Sequence, residues 1–185
     1  MIANRILRAA CTAAAASGLT AIGTSAQAPV GVAAAVPRAS ASADSLLNRL
    51  VGNWRMSGQV RGHPVQYTLV ATRVLGDRYV ELHMSDGMLP PKYEARVFIG
   101  ADTVPGRVLV HWLDNFGAAF SVPAGNGYVV GDTIRFEFAY SDGPFRDTFV
   151  YQPAAETWMF RLESGDRAGA WRPFAEYDVR PIAPR

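Results

Sequence analysis

The chain has 185 residues, of which 18 are Lys or Arg, 16 are Asp or Glu and one is Cys. That length fits one domain plus an appendage, and a single thiol excludes a disulfide framework. Arg5, Arg8 and Arg38 precede Asp44 and no acid does, so from Asp44 onward 15 basic residues meet 16 acidic ones, a net charge of −1 without the basic footprint of a nucleic-acid binder.

The appendage is at the front. Met1 to Arg8 carries Arg5 and Arg8, Ala9 to Gly23 is apolar and rich in Ala, and Ser25-Ala26-Gln27-Ala28 supplies small residues. This order predicts a secretory signal peptide over residues 1–28. A membrane anchor is the competing reading, because Ala9 to Val36 is uncharged. That run is broken by Gly18, Gly23, Pro29 and Gly31 and is mostly Ala, so a span of ~20 strongly apolar residues is not met. No stable membrane insertion is expected after cleavage. Cleavage after Ala28 places Pro29 next to the bond; Ala26, Ala41 and Ala43 are alternative sites. Cys11 lies inside the signal with Arg8 three places before it, where a lipoprotein signal has an apolar residue. The mature chain then carries no thiol and suits an oxidising compartment, the periplasm or the medium. Residues 29–43 are low in complexity and lack aromatic side chains, which predicts a flexible spacer. The folded domain is expected over 44–185, about 140 residues and enough for one core.

Asp44 is placed to cap a helical turn at Ser45–Leu50, with Leu46, Leu47 and Leu50 on one face and Gly52 ending it. Strands are predicted at Trp54–Arg61, Val65–Leu75, Tyr79–Ser85, Tyr93–Ile99, Arg107–Leu113, Ala118–Val122, Gly127–Val130, Thr133–Tyr140, Arg146–Gln152, Thr157–Glu163 and Trp171–Arg180. Gly76-Asp77, Gly131-Asp132, Asp142-Gly143 and Gly165-Asp166 are among the turn-forming links between them. Short links favour antiparallel, up-and-down order, and closing the sheet removes its exposed edges. The expected fold is therefore all-β: an antiparallel up-and-down barrel of about ten strands with a short N-terminal helical turn. Ile134, Phe136, Phe138 and Tyr140 alternate with Thr133, Arg135, Glu137 and Ala139, and Trp158, Phe160 and Leu162 alternate with Thr157, Arg161 and Glu163. The apolar faces should point inward, either filling the barrel or leaving room for one small ligand.

Several segments carry a resemblance. Leu46-Leu47-x-x-Leu50-Val51-Gly52-Asn53-Trp54 runs a helical turn into a Gly-x-Trp strand. Val74-Leu75-Gly76-Asp77-Arg78-Tyr79, His111-Trp112-Leu113-Asp114 and Ala175-Glu176-Tyr177-Asp178-Val179-Arg180 follow in order. From Asp44 to Arg180 the chain resembles a family of bacterial exported proteins of unassigned function with a lipocalin-like barrel. More loosely it is similar to the calycins: lipocalins, fatty-acid-binding proteins and haem-binding nitrobindins. The resemblance implies that Trp54 sits at the closed end of the barrel with a late-strand Arg packed on it, for which Arg180 is the candidate. Both are expected to be structural. Nitrobindin-like proteins hold haem iron through a His near the C-terminus, and no His follows His111 here.

Candidates for chemistry are sparse. His63 precedes Pro64 in a turn, His83 is in phase with Tyr79 and Glu81, and His111 is out of phase with Val110 and Trp112. No pair has ligand spacing, so no metal or cofactor is expected. Ser57, Ser85, Ser121, Ser141 and Ser164 lack a nucleophile elbow. Glu81, Glu94, Asp114, Glu137 and Glu176 read as the charged outside of a sheet, with a buried acid–base carboxylate as the alternative. The aromatic stock is the better lead: Tyr67, Tyr79, Trp112, Phe136, Phe138, Tyr140, Trp158 and Phe160 are the predicted ligand-binding residues. The loop Asp86-Gly87-Met88-Leu89-Pro90-Pro91-Lys92 either lids the barrel mouth or covers core. The expected partner is a small hydrophobic molecule, with no assigned catalytic residue. An isomerase or cyclase using an inward carboxylate or His is the alternative, and a filled barrel serving as an envelope interaction module is a third. Oligomeric state is left open.

N-terminal sequencing of the exported protein should find a first residue between Gln27 and Asp44; a chain still beginning at Met1 contradicts the signal assignment.

Overall fold

A computed structural model of the chain describes residues 43–121 and 124–182. The predicted signal peptide, and the predicted spacer up to residue 42, lie outside the described residues. The elements are α1 (Ala43–Asn48), β1 (Gly52–Val60), β2 (His63–Val74), β3 (Tyr79–Ser85), β4 (Glu94–Ala101), β5 (Arg107–Asp114), a short 3-10 helix (Ala118–Phe120), β6 (Gly125–Val130), β7 (Thr133–Tyr140), β8 (Gly143–Gln152), β9 (Thr157–Gly165) and β10 (Trp171–Pro181). Each strand pairs antiparallel with the next, and β1 pairs with β10, so ten strands form a closed barrel. The all-β, antiparallel barrel read from the strand rhythm is the fold observed.

Alternation decides which side chains enter. Ile134, Phe136 and Phe138 on β7 are buried between exposed Arg135, Glu137 and Ala139, and Trp158, Phe160 and Leu162 on β9 follow the same rule. The outer face carries ion pairs between neighbouring strands. Arg96 pairs with Glu81 at 2.5 Å, Arg146 with Glu163 at 2.8 Å, and Arg161 with Glu176 at 2.9 Å. His83 joins this face through Nε2, 2.7 Å from Glu94 Oε1. His63 and His111 are exposed, with His111 outward because Val110 and Trp112 point in.

One predicted strand is absent. Ala118–Val122 was expected to pair, but Gly117 has φ 102°, in the region that favours glycine, and the chain then turns through Ala118–Phe120 as a 3-10 helix. Val122 lies outside the described residues.

One end of the barrel is plugged. Leu46, Leu47 and Leu50 are fully buried, and each such burial stabilises by ~1.5–3 kcal/mol. The described helix already includes Ala43 and Asp44, so Asp44 lies in its first turn instead of capping it at Ser45. Its last turn tightens, with Arg49 N–H donating to Leu46 O and Leu50 N–H donating to Leu47 O. Two carbonyls left over there are taken by indoles: Trp54 Nε1 donates to Leu50 O at 2.6 Å, and Trp158 Nε1 donates to Arg49 O at 3.3 Å. Arg73 on β2 ties the outer side of the helix down, its Nε donating to Asn48 Oδ1 at 2.9 Å with Nη1 3.5 Å from Asp44 Oδ1.

Trp54 is thus buried at the plugged end, but Arg180 does not pack on it. Arg180 is paired across the strands with Arg55, its side chain is exposed, and its nearest charge is Asp178 at 3.8 Å. The reason is phase: Tyr177 and Val179 point inward, so Arg180 must point out. The guanidinium stacked on an aromatic ring at this end belongs to Arg49, 4.9 Å from the centre of the Tyr151 ring.

Trp54→Ala should lower unfolding free energy by ~3–5 kcal/mol in a urea titration, through lost volume and an orphaned Leu50 carbonyl. Trp54→Phe should cost less, because a phenyl ring still fills much of the space, although the hydrogen bond and part of the indole volume go. A loss below ~1 kcal/mol for Trp54→Ala would contradict the plug as described.

Candidate functional site

The barrel is filled over half its length and hollow over the rest. Phe149 and Phe160 stack at 3.8 Å with their planes 5° apart, and Phe136 lies 6.4 Å from Phe149. This layer sits on the plug and forms a floor. Above it is a cavity of about 490 Å³, within the size range of small-molecule sites. Its walls are rings from opposite sides of the barrel: Tyr67 from β2, Trp112 from β5, Phe138 and Tyr140 from β7, Phe145 from β8, and Phe174 and Tyr177 from β10. Gly125 on β6 leaves space for one of them, since a Cβ there would sit 2.8 Å from the Phe138 ring.

The eight aromatic residues singled out from the sequence separate into three places. Tyr67, Trp112, Phe138 and Tyr140 line the cavity. Phe136, Phe160 and Trp158 lie below it: the first two belong to the floor, and Trp158 is committed to the plug through its bond to Arg49. Phe160 still touches the wall, 6.5 Å from Trp112 and 5.8 Å from Tyr177. Tyr79 is on the wrong face. It is in phase with Glu81 and His83, and its ring lies over Gly100 on the outer surface, where a Cβ would be 2.6 Å from the ring. A bare glycine on a neighbouring strand draws an aromatic ring across it, which is why Tyr79 is half-buried without entering the barrel.

The mouth is edged by Phe116 and Phe120, which line the cavity while 65% and 61% exposed. Tyr140 OH donates to Phe120 O at 3.4 Å, and Tyr93 lies 5.8 Å from Phe116. The Asp86–Lys92 loop is neither lid nor core cover. Asp86 accepts the N–H groups of Met88, Lys92 and Tyr93 at 3.0–3.1 Å, and Leu89 projects outward, 98% exposed.

Carboxyl groups enter the cavity at two depths. Asp114, at the end of β5, accepts the N–H of Phe116 at 3.1 Å. Partial burial raises its pKa, opposed by that N–H and by the Trp112 indole. Asp147 on β8 is deeper. It is 1% exposed, flanked across the ladder by Phe136 and Leu162, and its Oδ1 has no hydrogen-bond partner. Burial pushes its pKa well above the ordinary carboxylate value. Among the described residues no other buried side-chain nitrogen or oxygen lacks a partner. The sequence reading named five carboxylates and missed this one. The signal was present: Asp147 alternates in phase with Phe145, Phe149 and Tyr151, an acid in an inward row. The phenols around the cavity respond to the same burial: Tyr93 and Tyr177 are pushed far above the usual tyrosine value, and Tyr140 and Tyr67 less far.

No protein-family profile matches the sequence, and no curated protein matches it. Among solved structures the chain is similar to the crystal structure of Rv2717c from M. tuberculosis, at TM-score 0.51 and 15% identity, over 74% of this chain and 95% of that one. At that identity the likeness concerns the barrel fold. Among the described residues no three His, Cys, Asp or Glu side chains are grouped to hold a metal ion.

Asp147 makes stability depend on pH. Well below pH ~3.9 the carboxyl is neutral in both the folded and the unfolded chain. As pH rises further the unfolded chain ionises first, near 3.9, and stability falls until the folded carboxyl also ionises, by ~1.4 kcal/mol for each unit between the two values. Asp147→Asn removes this loss, so its stability relative to the parent protein should rise from pH 4 to pH 8 in parallel denaturant titrations. A difference that stays flat with pH would contradict a raised Asp147 pKa.

Proposed function

We propose that the protein is an exported, calycin-like barrel that holds one small hydrophobic or aromatic molecule in its open half. The observation that carries this reading is the cavity itself. A space of about 490 Å³ is walled by aromatic rings, while the other half of the same barrel is packed solid. Filling the upper half with aliphatic side chains would have buried more apolar surface, at ~25 cal/mol per Å². Keeping it open has no structural return in a barrel already closed and plugged. Support for export comes from the Arg5/Arg8, apolar, Ala-x-Ala order and from a mature chain without thiols. The calycin resemblance rests on the ordered segments from Leu46 to Arg180 and on a first-strand Trp at the plugged end.

A second reading, an isomerase or cyclase, is favoured by Asp147. A buried carboxyl with a raised pKa, facing a ligand cavity, is what acid–base catalysis at neutral pH needs. The two readings differ in the fate of the bound molecule. A binding protein returns it unchanged, whereas an isomerase returns the same mass at a new chromatographic retention time.

N-phenyl-1-naphthylamine should bind the folded protein and quench its tryptophan emission, with Trp112 as the partner, so Trp112→Phe should remove most of the quenching. Phe138→Ala should shift affinity by ~1–3 kcal/mol through changed burial. Arg135→Ala and Glu137→Ala, on the outer face of the same strand, should leave it nearly unchanged. Absence of binding would contradict the cavity reading, as would a loss caused equally by the outer-face changes.

A further inference from the structure

The reading above leaves Asp147 without a purpose. A buried carboxyl with an unpartnered oxygen is a cost to the fold, and its ladder neighbours Phe136 and Leu162 offer no side-chain donor. Leu or Phe in its place would continue the row made by Phe145, Phe149 and Tyr151. The side chain instead faces the cavity, where a ligand would meet it.

The sign of the surrounding charge narrows what that ligand is. Asp114, Asp142 and Asp147 line the cavity, against one guanidinium, that of Arg61. Arg61 is exposed and lies 4.8 Å from the centre of the Phe174 ring, away from the floor where Asp147 sits. A ligand carboxylate or phosphate would meet the charges of Asp114 and Asp142 at the mouth and would hold the buried Asp147 carboxyl in its neutral form, so its own burial would go uncompensated by any buried cation. A cation would meet opposite charge. It would also meet aromatic faces, whose quadrupoles attract ammonium groups.

Resting on the cavity reading, we propose that the molecule held there is a small organic cation: a protonated amine on an apolar or aromatic body, its ammonium donating to the Asp147 carboxylate and its body packed among Trp112, Phe138 and Tyr177. The arriving charge removes the cost of the buried acid. An opposite charge within hydrogen-bond distance favours the ionised carboxylate, as burial alone disfavours it. The site thereby selects for charge with one residue and for shape with the rings.

Three probes of one shape test this: 1-naphthylmethylamine, 1-naphthylmethanol and 1-naphthoate, titrated calorimetrically into the full mature protein at neutral pH. The amine should bind at least about tenfold more tightly than the alcohol, the scale of one hydrogen bond to a charged group, and the acid should bind most weakly. Asp147→Asn should lose about tenfold or more for the amine and less than about threefold for the alcohol. Equal binding of amine and alcohol to the unmodified protein would overturn the amine assignment while leaving the cavity reading intact, and so would tighter binding of the acid. Binding of none of the three would overturn both. The comparison within the unmodified protein decides the question even if Asp147→Asn fails to fold.

Discussion

Pairing of β1 with β10 is the constraint on which the rest of the molecule depends. Once the ladder closes there is no free edge, and every strand has one face committed to a small interior and one to solvent. Inward residues from ten strands then compete for a space narrow enough for rings to cross it. At the plugged end this competition is settled by α1, whose leucines fill the axis while two indoles satisfy its last carbonyls. At the other end nothing apolar completes the packing, and the same alternation that makes a core lines a cavity.

A barrel with one filled and one open half keeps its packed core and its cavity in separate places. The Phe136, Phe149 and Phe160 layer belongs to the filled half and holds the strands at a fixed spacing. Trp112, Phe138 and Tyr177 therefore stand on rigid elements, and their positions need not be created when a ligand arrives. The mouth is different. Phe116 and Phe120 sit on a turn with large apolar areas exposed, anchored through the Tyr140 and Tyr93 contacts. On the proposed binding reading, a ligand enters and leaves past this turn rather than between strands.

Much of this was legible in the sequence because the side-chain period of a strand is two. The inward row of β7 and the outward row of ion pairs follow from the alternation of Ile134 to Tyr140 with Thr133 to Ala139. The same rule, applied to β10, should have placed Arg180 outside, since Tyr177 and Val179 are its inward neighbours. At Arg180 the strand phase, not the family likeness, matches the structure. Tyr79 was legible in the same way, through its phase with Glu81 and His83. Other features depend on depth along the barrel axis, which no local pattern encodes. Phe136 and Phe138 have the same phase and chemistry, yet one is floor and the other wall, because the register of all ten strands sets their heights. Asp147 lay between these cases: its inward phase was readable, but its lack of a partner follows from which residues β7 and β9 bring beside it.

A crystal structure of the protein soaked with 1-naphthylmethylamine tests most directly whether the open half is a ligand site oriented by Asp147. Density for the ring system should lie between Trp112, Phe138 and Tyr177, with the nitrogen ~3 Å from an oxygen of the Asp147 carboxylate. A fully packed upper barrel, or an amine held at the mouth with Asp147 untouched, would contradict it.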